Sequence, residues 1–240
     1  MQSSRSKANR KSPSPSSTRG RGQPATAVLI TCEADVVAGI KALRRKCPVI
    51  RRMHDLAGDP PLRLREPGLE GLARIIVGQQ VSVASANAIW ERTRLAIQPF
   101  DADTLLSLGD DELRAAGLSR PKVRTLRAIA AAIVEDGLDL MTLGRADEAV
   151  VREQLCKING IGPWTADIFA LFCMGRSDAF APGDLALQVA AQMAFGLPER
   201  PDPKSLEALA ERWRPLRGVA ARLLWAYYKA AKDAASGVPI

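Results

Sequence analysis

The sequence predicts an all-α fold. Three observations carry that expectation. Apolar residues recur at helical spacing from residue 34 onward. No convincing run alternates apolar with polar residues, as a half-buried strand would. Residues that start and stop helices recur between the periodic segments. With 240 residues, 47% of them apolar, the chain is long enough for one large or two small domains with a real core.

Taken in order, residues 1–25 are Ser, Pro, Gly and basic residues without apolar periodicity, and are expected to be a disordered basic tail. ATAVLI at 25–30 is the only strand candidate, and it is short. Helices are expected at 34–46, 68–78, 82–97, 102–107, 110–116, 121–136, 147–157, 163–174, 184–195, 204–213 and 216–233. Val123, Leu126, Ile129, Ala130, Ile133 and Val134 share one helix face. Trp164, Ile168, Leu171 and Phe172 share another. Ser82 is placed as an N-cap, and Pro121 and Pro163 suit first-turn positions. Gly78, Gly117, Gly137 and Gly175 suit C-terminal stops. No fixed-period repeat is visible.

Composition excludes several classes. The net charge is +8, but residues 1–25 alone hold six Lys/Arg and no acid. The remainder holds 28 basic and 26 acidic residues, so the charge by itself is weak evidence of a nucleic-acid partner. The basic run Lys41 to Arg52 reads as a solvated face. No apolar run approaches the roughly 20 residues that span a bilayer, and none of signal-peptide length follows the N-terminus. The four Cys, at 32, 47, 156 and 173, lack metal-ligand spacing, and His54 is the only His. Reduced thiols in an intracellular protein are expected. Structural zinc, iron–sulfur and Ser-His-Asp chemistry are poorly supported.

The most informative stretch is Leu155-Cys156-Lys157-Ile158-Asn159-Gly160-Ile161-Gly162-Pro163-Trp164-Thr165-Ala166. Two glycines one residue apart separate two helical patterns. Glycine permits the tight turn, and the next helix begins with backbone N–H groups that lack internal partners. That arrangement suits a phosphate oxygen, with Lys157 nearby. A plain joint in which the glycines only relieve strain is the competing reading. Twenty residues after Trp164, Asp184 follows Pro-Gly and precedes an apolar helical pattern, as an N-cap would.

The hairpin, Trp-Thr-Ala and Asp184 together resemble the helix–hairpin–helix superfamily of DNA glycosylases, most closely its 3-methyladenine DNA glycosylase II family. Three more blocks follow the family's order. They are Gly71-Leu-Ala-Arg-Ile-Ile-Val-Gly-Gln-Gln-Val-Ser-Val-Ala, Gly117-Leu-Ser-Arg-Pro-Lys-Val-Arg-Thr-Leu, and Glu211-Arg-Trp-Arg-Pro-Leu-Arg leading to Trp225. The resemblance covers roughly residues 36–231. It implies the helix–hairpin–helix glycosylase fold: two helical subdomains flanking an active-site cleft, without the extra N-terminal β-rich domain of some members. One subdomain would be 34–67 plus 176–233, and the other 68–175 with the hairpin at 155–166.

The resemblance also implies site residues. Asp184 matches the catalytic acid, and Asp178 matches a structural position and is the runner-up acid. Trp164 and Trp225 match the base pocket, with Ile168 where some members have an aromatic. Trp90 and Trp213 are expected in packing. Gly160, Gly162, Thr165 and Lys157 would hold the DNA backbone. The wedge that fills the vacated stack would be Gln80, with Gln79 beside it, where the best-known members have Leu. No side chain is expected to bind metal, although backbone carbonyls of Cys156, Ile158 and Gly160 match a site for structural Na⁺ or K⁺. Strand-cleaving relatives carry Lys where Trp164 stands, so excision without lyase activity is implied. No Cys follows 173, unlike the four-Cys endonuclease III branch. The implied partner is double-stranded DNA with damaged bases, and a monomer is expected. Two other readings stay open: a glycosylase for deaminated or oxidised bases, and a non-catalytic DNA-binding module.

Overall fold

The computed structural model describes residues 28–235. The predicted basic tail lies outside them. Thirteen α-helices follow in order among the described residues. They are α1 (Glu33–Lys46), α2 (Pro48–Ala57), α3 (Leu69–Gly78), α4 (Val83–Ala96), α5 (Ala102–Ser107), α6 (Asp110–Ala115), α7 (Arg120–Val134), α8 (Leu140–Leu143), α9 (Glu148–Cys156), α10 (Pro163–Phe172), α11 (Leu185–Phe195), α12 (Pro203–Ala210) and α13 (Arg217–Ala235). The fold is all-α, as the periodicity predicts. The strand candidate reduces, in its described part, to a single antiparallel bridge between Leu29 and Arg176.

Side chains start these helices. Ser82 caps α4 by accepting the Ser85 amide at 3.2 Å, and Asp101 caps α5 from Thr104 at 2.8 Å. Asp202 caps α12 through the Ser205 amide at 2.7 Å. Pro stands in the first turn of α2, α7, α10 and α12, where its missing N–H costs nothing.

Three expectations need correction. Helices α2 and α8 are absent from the expected set: Cys47 alone separates α2 from α1, and α8 is a single short turn of four residues. The helix expected at 204–213 ends at Ala210 and tightens into a 3₁₀ turn, Glu211–Trp213. Gly78 is not a left-handed stop. It closes α3 in helical conformation, and the left-handed residue is Gln80, with φ of 56°. Gly117, Gly137 and Gly175 do take positive φ.

Packing gathers the helices into two sets. In one, α13 lies on α1, α2 and α11, with α12 on α11. In the other, α7 lies on α3, α5 and α6, and α10 on α3 and α9. Trp90 and Trp213 are both buried, as expected. The Trp213 indole packs between Phe180 and Phe195.

Asp178 is fully engaged in this scaffold. It accepts from the Arg214 guanidinium, from Arg217 Nη2 at 2.9 Å and from the Arg217 amide at 3.2 Å. A carboxylate so held is a structural anchor of α13 and not a free acid.

Asp167 is the other notable acid. It is 4% exposed on α10, with Arg152 at 3.4 Å as its ion-pair partner. Burial, opposed by Arg152 and reinforced by Glu148 and Glu207, pushes its carboxyl up to about 7. The native state therefore holds this proton more tightly than the unfolded chain does. The associated stability is complete below about pH 4 and is lost as pH rises through about 7. Asp167→Asn, which keeps the neutral shape, should melt above the wild type at pH 8, by on the order of 5 °C. The gap should close by pH 4, as thermal unfolding across that range would show.

Candidate active site

Asp184 ends a Pro-Gly turn and is the N-cap of α11. Its Oδ1 accepts the Leu187 amide at 3.0 Å. The same carboxylate takes two indole donors. Trp225 Nε1, from α13, donates to Oδ1 at 3.0 Å. Trp164 Nε1, from the first turn of α10, donates to Oδ2 at 2.9 Å. Indole and amide N–H groups donate only, so both oxygens must accept, as a carboxylate ion does. Oδ1 thereby spends both lone pairs. Oδ2 keeps one for water or a reacting group.

Trp225 is itself set from behind. Its ring lies 5.5 Å from Phe172, over which the Arg222 guanidinium stands at 5.1 Å. Arg222 is buried and donates to Leu171 O at 2.7 Å, Gly218 O at 3.0 Å and Leu62 O at 3.3 Å. Burial draws its guanidinium down to about 10. These bonds pin the 58–68 loop, α10 and α13 around the indole.

A cavity of about 580 Å³ opens beside Asp184. It is lined by Gln79, Gln80, Gly160, Gly162, Trp164, Thr165, Gly183, Asp184 and Leu185. The turn after α3, the 155–166 hairpin and the start of α11 thus meet at one place, although about 80 residues of sequence separate the first from the second. A larger cavity, about 790 Å³, lies between the end of α7, α8 and the hairpin's outer side. Its Asp139 is occupied in capping α8, and its Lys157 pairs with Glu153 at 3.1 Å. Asp184 and the Trp164 indole that donates to it lie on the smaller cavity and not on this one.

Gly160 turns the hairpin with φ of 89°. A Cβ there would sit 1.9 Å from Thr125 Oγ1 on α7, so both conformation and space demand glycine. Gly162 then caps α10 without a side chain; Pro163 has no N–H, so the Trp164 and Thr165 amides are the first that the helix leaves without an internal partner.

The chain's residues 73–215 match the model of the HhH-GPD superfamily base excision DNA repair proteins. The chain belongs to that superfamily. Among its relatives is the alkylbase DNA glycosidase-like protein mag2 of Schizosaccharomyces pombe, 28% identical over 65% of this chain and 76% of mag2. Solved structures that share the fold include two 3-methyladenine glycosylases or glycosidases. The S. pombe 3-methyladenine DNA glycosylase Mag1 in complex with abasic DNA superposes with a TM-score of 0.72 at 26% identity, over 78% of this chain and 95% of that one. The DNA-3-methyladenine glycosidase of Bacillus halodurans gives 0.67 at 31% identity, over 84% of this chain and 91% of that one.

Within this HhH-GPD chain the site differs from expectation at four residues. Thr165 is 2% exposed, and its hydroxyl accepts from Gln79 Nε2 at 3.0 Å. Its side chain is thus tied to Gln79 at the cavity wall. Ile168 is 5% exposed in the core and is absent from the cavity lining. Trp225 reaches the site through its N–H, while its ring lines a separate small void with Pro61, Arg63, Phe172 and Arg222. The Gln pair is split: Gln79 is turned inward on Thr165, and Gln80 is exposed at the tip. Sequence reasoning missed Leu185, an exposed apolar residue at the cavity lip that only its adjacency to Asp184 could have flagged. No helix among the described residues is long and apolar enough to cross a membrane.

Proposed function

We propose that this chain excises positively charged alkylated bases, such as 3-methyladenine and 7-methylguanine, from duplex DNA and leaves an abasic site. The observation that carries the reading is the Asp184 carboxylate, clamped by two indole N–H groups at the wall of a base-sized cavity. The names and substrates of the relatives support it.

A paired base is out of reach inside a duplex, so the target nucleotide must leave the stack. The open amides at the start of α10, beyond Gly160 and Gly162, offer donors to a backbone phosphate. Lys157, exposed on the hairpin's outer side, would have to leave its ion pair with Glu153 to reach that phosphate. Gln80, at the exposed tip between α3 and α4, enters the vacated stack. The flipped cationic base meets the Trp164 ring, an interaction worth roughly 0.5–2 kcal/mol.

A cationic base is already a good leaving group. What the active site must supply is stabilisation of an electron-poor sugar and a positioned water. The ionised Asp184 faces C1′ and does the first electrostatically. The free lone pair on Oδ2 accepts a proton of the attacking water. No residue lining the cavity is a lysine, and Trp164 holds the position where strand-cleaving relatives carry one. A Schiff base needs an amine, so this lining supports a product that is an intact strand with an abasic site.

The Ile158 carbonyl accepts the Ile161 amide at 3.0 Å and retains a second lone pair. Together with the Cys156 and Gly160 carbonyls, which the family resemblance assigns to a structural Na⁺ or K⁺, it would supply hard oxygen donors of the kind such a cation takes.

The test is incubation with duplexes bearing single defined lesions, analysed with and without hot alkali. Release of 7-methylguanine or 3-methyladenine is expected, with strand breaks only after alkali. Release of uracil or 8-oxoguanine alone would overturn the alkylation reading, and breaks without alkali would overturn the monofunctional one. Trp225→Phe removes one donor to the carboxylate while keeping most of the ring. A hydrogen bond to a charged group contributes about 1.5–3 kcal/mol. Single-turnover excision by this variant should fall about 10- to 100-fold.

A further inference from the structure

The turn between α3 and α4 carries backbone strain at its tip. Gln80 has φ of 56°, a conformation that a residue with a side chain adopts at a cost and keeps only where its surroundings fix it. Three contacts fix it here. The Gln79 amide closes α3 on Ile76 O at 3.2 Å. The Gln79 side chain donates to Thr165 Oγ1 at 3.0 Å, tying the turn to α10. Lys122 Nζ, from the first turn of α7, donates to Val77 O at 2.7 Å.

The third contact is the unusual one. Val77 O is a C-terminal carbonyl of α3, left without a helical partner because the chain turns away. An ammonium there satisfies the carbonyl and complements the negative end of the helix. One turn further along the same face of α7, Thr125 lies against Gly160 of the hairpin. One helix face therefore abuts both loops that edge the cavity.

We propose that Lys122 is a positioning residue: by capping Val77 O it holds the strained Gln80 turn in register with the glycine hairpin that α7 also supports. The proposal rests on the reading of Gln80 as the element that enters the DNA stack. Lys122 sits in the Gly117–Leu126 block, where nothing local in the sequence links it to residue 77, 45 positions earlier.

Two readouts separate the proposal from that reading. The first is hydrogen exchange of the amides of residues 79–81. In Lys122→Met these should exchange at least 10-fold faster, while α10 keeps its protection. The second is the ratio of single-turnover excision rates from a duplex and from a single strand carrying the same 7-methylguanine. Lys122→Met should lower that ratio at least 10-fold, since a single strand has no stack to fill. Gln80→Ala should lower it alike, and Lys122→Arg, which keeps a donor, should recover most of it.

Unchanged exchange at 79–81 in Lys122→Met would overturn the proposal. So would a uniform loss of protection and of both activities shared by the Met and Arg variants. Faster exchange at 79–81, with the ratio unchanged in both Lys122→Met and Gln80→Ala, would uphold the positioning role and overturn the reading of Gln80.

Discussion

Asp184→Asn should reduce single-turnover excision of 7-methylguanine by about 10³-fold while leaving affinity for an abasic-site duplex within a few-fold. The substitution preserves shape. Asn can still accept the Leu187 amide and the Trp225 N–H through its carbonyl oxygen, so the cap of α11 survives. What disappears is the negative charge. An ion pair at about 4 Å with an effective dielectric of about 20 is worth about 4 kcal/mol. If that interaction develops only as the sugar becomes cationic, it converts to about three decades in rate. The amide NH₂ would also face the Trp164 N–H, donor against donor, in place of the 2.9 Å bond. Excision assays paired with gel-shift titration on a tetrahydrofuran duplex would check both halves. A variant that binds and also excises normally would remove Asp184 from the chemistry.

Gly160→Ala should have the second large effect, on folding and DNA binding together. The position has φ of 89°, and its new Cβ would lie 1.9 Å from Thr125 Oγ1 and 2.9 Å from Thr125 Cβ. The positive φ costs about 1–2 kcal/mol and the overpacking about 1–3 kcal/mol more. At about 2–4 °C per kcal/mol for a domain of this size, Tm should drop by roughly 5–15 °C. Because α7 cannot yield without shifting Lys122 as well, affinity for abasic DNA should fall at least 10-fold. Differential scanning calorimetry and the same gel-shift titration would report the two effects. Wild-type melting with weakened DNA binding would show that the glycine serves contact alone. Lower melting with unchanged binding would show that the turn serves only the fold.

The all-α class was legible because helical spacing is a local property. On the predicted α7 face, Val123, Leu126, Ile129 and Ala130 are buried as its period requires, while Ile133 is half-buried and Val134, at the helix end, is exposed. The same logic failed for Ile168. Helix α10 is buried on nearly every side, so sharing a face with Trp164 did not place Ile168 in the cavity. Helix α2 was missed although Val49, Ile50 and Met53 fit one face. Pro48 reads as an interruption, yet at a first helical position it is a start. The site residues were legible mainly through resemblance to a family; the Gln79–Gln80 turn, the glycine hairpin and Asp184 line one cavity, while Lys157, Ile168 and the Trp225 ring do not. Their partners were not legible. The Gln79–Thr165 bond spans 86 positions, the Trp225–Asp184 bond 41, and the Arg222–Leu62 bond 160. Such pairs exist only once the helices have packed, and one sequence carries no local trace of them.

The central claim is that an ionised carboxylate, held by two indoles, faces the carbon that becomes cationic during excision. The most direct measurement compares affinities for two abasic duplexes of matched sequence. One carries a neutral tetrahydrofuran in place of the sugar, and the other a pyrrolidine whose protonated nitrogen stands where C1′ charge develops. The wild-type chain should bind the pyrrolidine duplex at least 10-fold more tightly, and Asp184→Asn should bind the two alike. Equal affinity of the wild type for both, or a preference that survives Asp184→Asn, would contradict the claim.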